Sequence, residues 1–424
     1  WLYLSINIDF DAHFPLHPQL INGTHKQHKL KTHSMFNFKI THTHENARCG
    51  ELVCPHGTIQ TPNFIFCATK GAIKGLLPSQ MKSEGTQFIL SNTYHLMLNP
   101  GADHIEKMGG LHKFMGWDGP LLTDSGGFQI FSLGHGSVAA EIKGRRDTKR
   151  PQTLLKITEE GAKFKSYLDG SLHFLTPEKS MEVQRKLGVD FAVMLDECTP
   201  FHVDKTYTAA SMRMSHRWGQ RSLAEFKRHD NGKQKVYGIV QGGIYPDLRI
   251  ESCEFVNDHD FFGIAVGGSL GQSKGQMHDV VGVAMATLRK DRPVHLLGIG
   301  GTSDIFNGVR YGIDTFDCVH PTRLARHGGA LVKAKHNTST TREHLNLNNA
   351  INKESMDPIE PDCTCHTCTH FSKGYIHYLL KAKELLALQL LTIHNVSFMN
   401  RLMADVRMGI QTGTLDAVEK EWTQ

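Results

Sequence analysis

Six β-prone runs of this 424-residue chain end in residues that could act on a small polar ligand. Pro120–Thr123 is followed by Asp124, Ser125, Gly126 and Gly127, and then by Phe128. Phe191–Leu195 runs into Asp196 and Glu197, and Val236–Val240 into Gln241, Gly242 and Gly243. Phe262–Val266 ends in Gly267 and Gly268, Val294–Leu297 in Gly298, and Thr315–Val319 carries Asp317 near its end, before Pro321, Thr322 and Arg323. Asp124 and Asp317 facing one mouth would suit glycosyl transfer, in which one carboxylate attacks an anomeric carbon and the other moves a proton on the departing group. Asp196 and Gln241 suit a polar heterocycle, because carboxylate and amide accept and donate in one plane. Phe128 offers a flat face on which a base can stack. Any one of these ends is ordinary turn chemistry, and it is their number that argues for a site. Asp314 and Glu197 read as solvated loop or cap groups.

A second constellation is Cys363-x-Cys365-x₂-Cys368, three soft ligands converging on one point. Tetrahedral zinc needs a fourth ligand, for which His366, His370, His377 and His394 are candidates. His366 lies inside the knuckle and is awkwardly placed. His394 closes a helical pattern, Gly374–Leu391 with Ile376, Leu379, Leu380 and Leu386 at helical spacing, that can fold back over it. A closed Cys₃His shell leaves no open position and reads as one structural zinc. The other six of the nine cysteines are scattered, which speaks against a disulfide framework and for a reducing, cytoplasmic setting.

The elements that must position these residues alternate. With Asn63–Ala68 and Gln87–Ser91 the β-prone runs number eight, separated by segments long enough for helices. Thr176–Gly188 is one such helix, with Pro177 suited to a first turn and Gly188 to a stop. The pattern predicts an α/β fold, a (β/α)₈ TIM-type barrel whose strand ends form one rim, with a zinc-binding subdomain over about 340–400. A doubly wound sheet would want a G-x-G-x-x-G after an early strand, and none occurs. Hydrophobic residues at 39% can fill such a core, and no apolar run is long enough for a membrane span. The formal charge of +5 permits a nucleic-acid partner without demanding one. From Cys318 to Thr341 the charges are Arg323, Arg326, Lys333 and Lys335 with no acid, which beside Asp317 favours a polyanionic substrate. A further basic run, Lys143–Arg150, reads as a flexible insertion. Residues 1–34, rich in histidine and lacking the layout of a secretory signal, are expected to be a disordered extension before an ordered domain over 35–424.

The motifs Asp124-Ser-Gly-Gly-Phe-Gln129, Asp196-Glu-Cys-Thr-Pro200, Gln241-Gly-Gly243 and Phe316-Asp-Cys-Val-His-Pro-Thr-Arg323, with the cysteine knuckle, resemble the tRNA-guanine transglycosylases, or queuine tRNA-ribosyltransferases. The resemblance runs from about Phe36 to the C-terminus. It implies exchange of the wobble guanine in a tRNA anticodon through a covalent aspartyl–ribose intermediate, with Asp317 as nucleophile and Asp124 as general acid/base. It implies a base pocket of Ser125, Gly126, Gly127, Asp196, Gln241 and Gly268, with the base between Phe128 and Leu297. It places Gly298, Ile299, Gly300, Gly301, Thr302, Ser303 and Asp304, and likewise Thr322, Arg323, Leu324, Ala325 and Arg326, near the anticodon loop. Cys363, Cys365, Cys368 and His394 become the zinc ligands. The implied partners are tRNA, guanine and 7-deazaguanine bases, and a second copy in a homodimer, with no membrane.

Two positions depart from the bacterial pattern. Gly301 stands where a Lys is usual, and the loop Gly267-Gly-Ser-Leu-Gly-Gln272 replaces Gly-Gly-Leu-x-Val-Gly-Glu. The loss of a β-branched residue and of a carboxylate favours queuine as incoming base, the alternative being 7-aminomethyl-7-deazaguanine. The rival readings are a glycoside hydrolase and a non-catalytic RNA-binding subunit. The basic stretch disfavours the first, and the presence of both acids disfavours the second.

Overall fold

The computed structural model describes residues 35–135, 153–199, 203–337 and 343–424. Residues 1–34 and the Lys143–Arg150 run, given above as a disordered extension and a flexible insertion, lie outside the described residues.

All eight β-prone runs form strands: β1 (Asn63–Cys67), β2 (Ile89–Ser91), β3 (Leu121–Thr123), β4 (Phe191–Val193), β5 (Lys235–Val240), β6 (Gly263–Val266), β7 (Val294–Leu296) and β8 (Thr315–Asp317). They pair in parallel, each with its neighbour in sequence, and β8 pairs with β1 to close the barrel. The strands are buried almost throughout, which is why their sequences are continuous apolar runs without alternation. Helices follow most strands. The helix Pro177–Leu187 has Thr176 as N-cap, its hydroxyl accepting from the Lys179 N–H, and left-handed Gly188 as its stop.

The floor of the barrel, at the N-terminal strand ends, is covered by an antiparallel sheet of Asn37–His44, Ala47–Cys54 and Gly57–Thr61. Arg48 of that sheet reaches Asp314, just before β8, through Nε at 2.9 Å and Nη2 at 2.5 Å. Asp314 is therefore a buried ion-pair partner and not the solvated group its loop position suggested. Burial pushes its carboxyl up and the Arg48 guanidinium opposes that shift. Asp190, before β4, is the floor's second buried carboxylate. It accepts from Leu121 N–H at 2.9 Å and faces His56 and His112 at 2.7 and 3.4 Å.

Two further antiparallel sheets interrupt the alternation, one of Leu154–Thr158, Gly161–Lys165 and Leu172–Leu175, the other pairing Gly329–Leu331 with His344–Asn346. The helical pattern assigned to Gly374–Leu391 is two helices, Lys373–Ala382 and Leu385–Thr412, broken at Lys383 with φ +60°. His394 lies within the second helix instead of closing the first. That helix runs on because its apolar residues, Leu390, Leu391, Ile393, Val396 and Phe398 among them, are buried against the barrel and the cysteine knuckle.

Candidate active site and metal centre

The C-terminal end of β8 presents Asp317. Its Oδ1 accepts from the Gly298 N–H at 2.8 Å and faces His295 Nε2 at 3.1 Å. Buried His295 is set in turn by Thr315 Oγ1, 3.0 Å from its Nδ1. The other oxygen, Oδ2, has the Cys67 thiol at 3.6 Å. Burial, with the Asp317 charge next to it, keeps that thiol protonated, so it donates. One carboxylate oxygen is thus anchored and the other held loosely.

Asp124, past the end of β3, is held by neutral donors: the N–H groups of Thr93 (2.9 Å) and Gly126 (3.2 Å) on Oδ1, and the Asn92 amide on Oδ2. Removal from water pushes its carboxyl up to about 7, and the charge of Asp317 adds to the rise while the N–H donors oppose it. A carboxyl at that value can both give and take a proton near neutrality.

Asp196, past β4, accepts from Gln241 Nε2 at 2.5 Å and Ser125 Oγ at 3.3 Å. Burial carries it up to about 6, with the Glu197 charge contributing. Gly268 has φ +73°, and a Cβ there would stand 2.1 Å from Gln241 Oε1, so this position needs glycine twice over. Gly127 is constrained by space alone, since a Cβ would meet the Asp196 carbonyl at 2.6 Å. Phe128 is 45% exposed on the rim, while Leu297 packs partly buried over Gly267. Glu197 is also buried, its carboxylate accepting from Tyr207 at 2.5 Å, so the expectation of a solvated group fails here too.

Of the two segments expected near RNA, Gly298 and Arg323 are exposed and Ile299, Gly301, Ser303, Asp304, Leu324 and Arg326 partly so. Gly300, Thr302, Thr322 and Ala325 are buried. Asp304 is paired with Lys274 at 3.3 Å and His278 at 3.6 Å.

Cys363, Cys365 and Cys368 converge on His394, with Sγ to Nδ1 distances of 3.7, 3.7 and 3.3 Å, all four residues buried. Zinc–sulfur and zinc–nitrogen bonds of ordinary length in a tetrahedron put these atoms about 3.6 Å apart, so the cluster fits zinc. The other imidazole nitrogen, Nε2, is 2.7 Å from the Leu331 carbonyl, an outer partner that fixes the ring. A second His/Asp group, His56, His112 and Asp190, lies on the floor. Its two rings stack at 3.6 Å and 14°, so their lone pairs run side by side and the nitrogens serve the carboxylate.

Sequence reasoning missed Asn92, Thr93, Cys67 and His295. Asn92 and Thr93 follow a strand directly and obey the strand-end rule that flagged the others. His295 lies inside β7, where nothing distinguishes it from a core residue.

A closed parallel barrel with two carboxylates and a hydrogen-bonding pocket on its rim has the layout of a barrel enzyme suited to work on a glycosidic bond. A family model described as queuine tRNA-ribosyltransferase matches residues 43–424. The queuine tRNA-ribosyltransferase of Roseiflexus sp. (strain RS-1) is 44% identical, covering 91% of this chain and 98% of its own. That of Protochlamydia amoebophila (strain UWE25) is 44% identical over 89% and 95%, and that of Shewanella sediminis (strain HAW-EB3) 40% identical over 91% and 95%. The chain belongs to the queuine tRNA-ribosyltransferase family and is a transferase of tRNA modification.

Proposed function

We propose that the enzyme replaces the wobble guanine of a tRNA anticodon by double displacement at Asp317. The observation that carries this reading is the pairing of a nucleophile having one anchored oxygen with a second acid whose carboxyl titrates near 7. Asp317 Oδ2 attacks C1′ as the bond to guanine N9 breaks, and Asp124 supplies a proton to the departing base. The incoming base then gives its N9 proton to Asp124, attacks C1′ and displaces the Asp317 carboxylate. Two inversions restore the original configuration. Esterification of Asp317 removes a negative charge that helps raise Asp124, so the same step that forms the adduct makes Asp124 a stronger acid and a carboxylate ready to act as base.

In this reading the base lies between Phe128 and Leu297, its edge against Asp196, Gln241 and Gly268. Its tRNA phosphates meet the rim segments Gly298–Asp304 and Thr322–Arg326. Zinc on Cys363, Cys365, Cys368 and His394 is structural, one per chain, and supplies a rigid brace for the subdomain. The exposed apolar side chains of Ile351, Met356, Tyr378 and Leu385 in this subdomain favour a homodimer. The cytoplasm suits its six free cysteines and the three thiolates given to zinc. No described helix is long and apolar enough to cross a membrane.

Queuine is the incoming base we favour, because the loop carries Gly271 and exposed Gln272 where a bulkier wall and a carboxylate would favour a small cation. Labelled guanine should enter only tRNAs with a wobble guanine, and a tRNA adduct should survive denaturing gels. Incorporation elsewhere in tRNA, or no adduct under trapping, would sink the reading. Competition between labelled queuine and the aminomethyl base for one tRNA settles the choice of base, and a large kcat/KM advantage for the latter reverses it.

A further inference from the structure

The helix Pro246–Asp258, which follows β5, carries a fully buried arginine. Arg249 donates from Nε to the Gly243 carbonyl at 2.7 Å, and from Nη1 to those of Val240 (3.2 Å) and Gly267 (2.8 Å). From Nη2 it donates to Ser269 at 2.9 Å. Two of these carbonyls belong to the end of β5 and its loop, and two to the loop after β6. Among the described residues Arg249 forms no ion pair. A buried cation without a carboxylate is costly, and burial lowers Arg249 to about 10. It is retained at a place where only a planar fork can reach four carbonyls at once.

The two loops it joins are those carrying Gln241 and Gly268, which approach so closely that a Cβ at Gly268 would overlap the Gln241 side chain. One helical turn further on, Ser252 Oγ accepts the Gln241 N–H at 3.0 Å and contacts buried His216 Nε2 at 3.0 Å. Arg249 and Ser252 therefore hold both loops from the same face of one helix. Neither touches the pocket's open side.

We infer that Arg249 is a positioning residue for base recognition: its guanidinium fixes the spacing between the Gln241 loop and the Gly268 loop, and so sets how well a purine edge fits between them. Geometry held to a fraction of an ångström is what separates a bound base from a loosely held one. The inference rests on the pocket placement proposed above, in which the base lies against Asp196 and Gln241.

The test is steady-state base exchange with the zinc-loaded full chain, varying guanine at saturating tRNA and then tRNA at saturating guanine. Arg249→Lys keeps the charge but supplies its donors from one point, so it cannot span both loops. It should raise the KM for guanine about tenfold while the KM for tRNA stays within about twofold. Ser252→Ala, a small deletion, should move the guanine KM in the same direction by a few-fold. An unchanged guanine KM in folded Arg249→Lys overturns the inference, as does a fall in kcat alone with both KM values kept. Should Arg249→Lys not fold, Ser252→Ala decides: a normal guanine KM there makes the helix a mere scaffold. Asp196→Asn separates the two readings. If it leaves guanine KM unchanged, the pocket placement itself fails; if it raises that KM while Arg249→Lys does not, only the role of Arg249 fails.

Discussion

Asp314 and Asp317 stand three residues apart, one just before β8 and the other at its end, and meet different partners. Asp314, on the floor, is met by the Arg48 guanidinium and by the Val294 N–H at 2.7 Å. Asp317, on the rim, is met by an imidazole, a backbone N–H and a thiol. Asp190, met by the imidazoles of His56 and His112, differs likewise in its partners from Asp124, held by an amide and N–H groups. At the floor Asp314 is neutralised by a guanidinium and ties the covering sheet to the barrel. At the rim Asp317 and Asp124 are oriented by N–H groups, an amide, a thiol and an imidazole, which leaves Asp317 Oδ2 only loosely held. The end of the strand, not the residue type, decides which role an aspartate has.

Exchanging one residue at each end would break this comparison most sharply if it were wrong. Asp317→Asn should reduce base exchange by about 10⁴-fold or more, since an amide cannot displace guanine. Its unfolding transition should match that of the wild type. A substantial rate retained by this variant would move the nucleophile elsewhere. Asp314→Ala should do the reverse. It leaves Arg48 buried without its partner and should cost about 3–5 kcal/mol in urea unfolding. The protein that remains folded should exchange base with normal KM values. Loss of catalysis without loss of stability would show that the floor is not merely structural.

The metal centre should give a smaller and differently directed effect. Cys365→Ser is expected to lose zinc by metal analysis and to unfold at a lower temperature, because binding and folding are coupled. Its KM for tRNA should rise about tenfold while that for guanine stays close to normal. The reason is local: Asn395, beside His394, bonds the backbone of Pro321, Gly329 and Leu331 around the Arg323 segment. Equal losses for both substrates would make zinc a general stabiliser only.

The smallest expected effect is the pH limb. Asp124 is raised to about 7 and must carry a proton to act on the departing guanine, so the active form is lost as pH rises through that value. kcat/KM for tRNA should fall by about half at pH 7 and about tenfold by pH 8 relative to the acid plateau. A flat profile across that range would contradict the assignment of Asp124 as acid.

The rim was largely legible in the sequence because each of its residues directly follows an apolar run, so order along the chain reveals position in space. The floor was not. Arg48 and Asp314 stand 266 residues apart, and nothing near Asp314 announces a cation. His295 and Arg249 escaped for a related reason: one lies inside a strand and the other on a helix that reads as a surface element. Each acts on the end of its own or the next strand, a contact made by the side pairing of neighbouring elements and not marked in the local sequence. The knuckle was legible as three cysteines with a histidine from a later helix, but the break at Lys383 was not, because a positive φ there leaves no mark on the apolar spacing.

Barrel closure also has a consequence in time. The strand bearing Asp317 joins β7 on one edge and, on the other, β1, about 250 residues earlier, through Thr315–Asn63, Phe316–Phe64 and Asp317–Ile65. A chain emerging from the ribosome can pair seven strands before β8 arrives to join β7 on one side and β1 on the other. The long helix Leu385–Thr412, which packs on β1, arrives later still. Contacts of such sequence separation are slow to form and are made last. Partly synthesised protein can therefore hold the strand ends bearing Asp124, Asp196 and Gln241 without Asp317, and the rim is complete only once the barrel has closed.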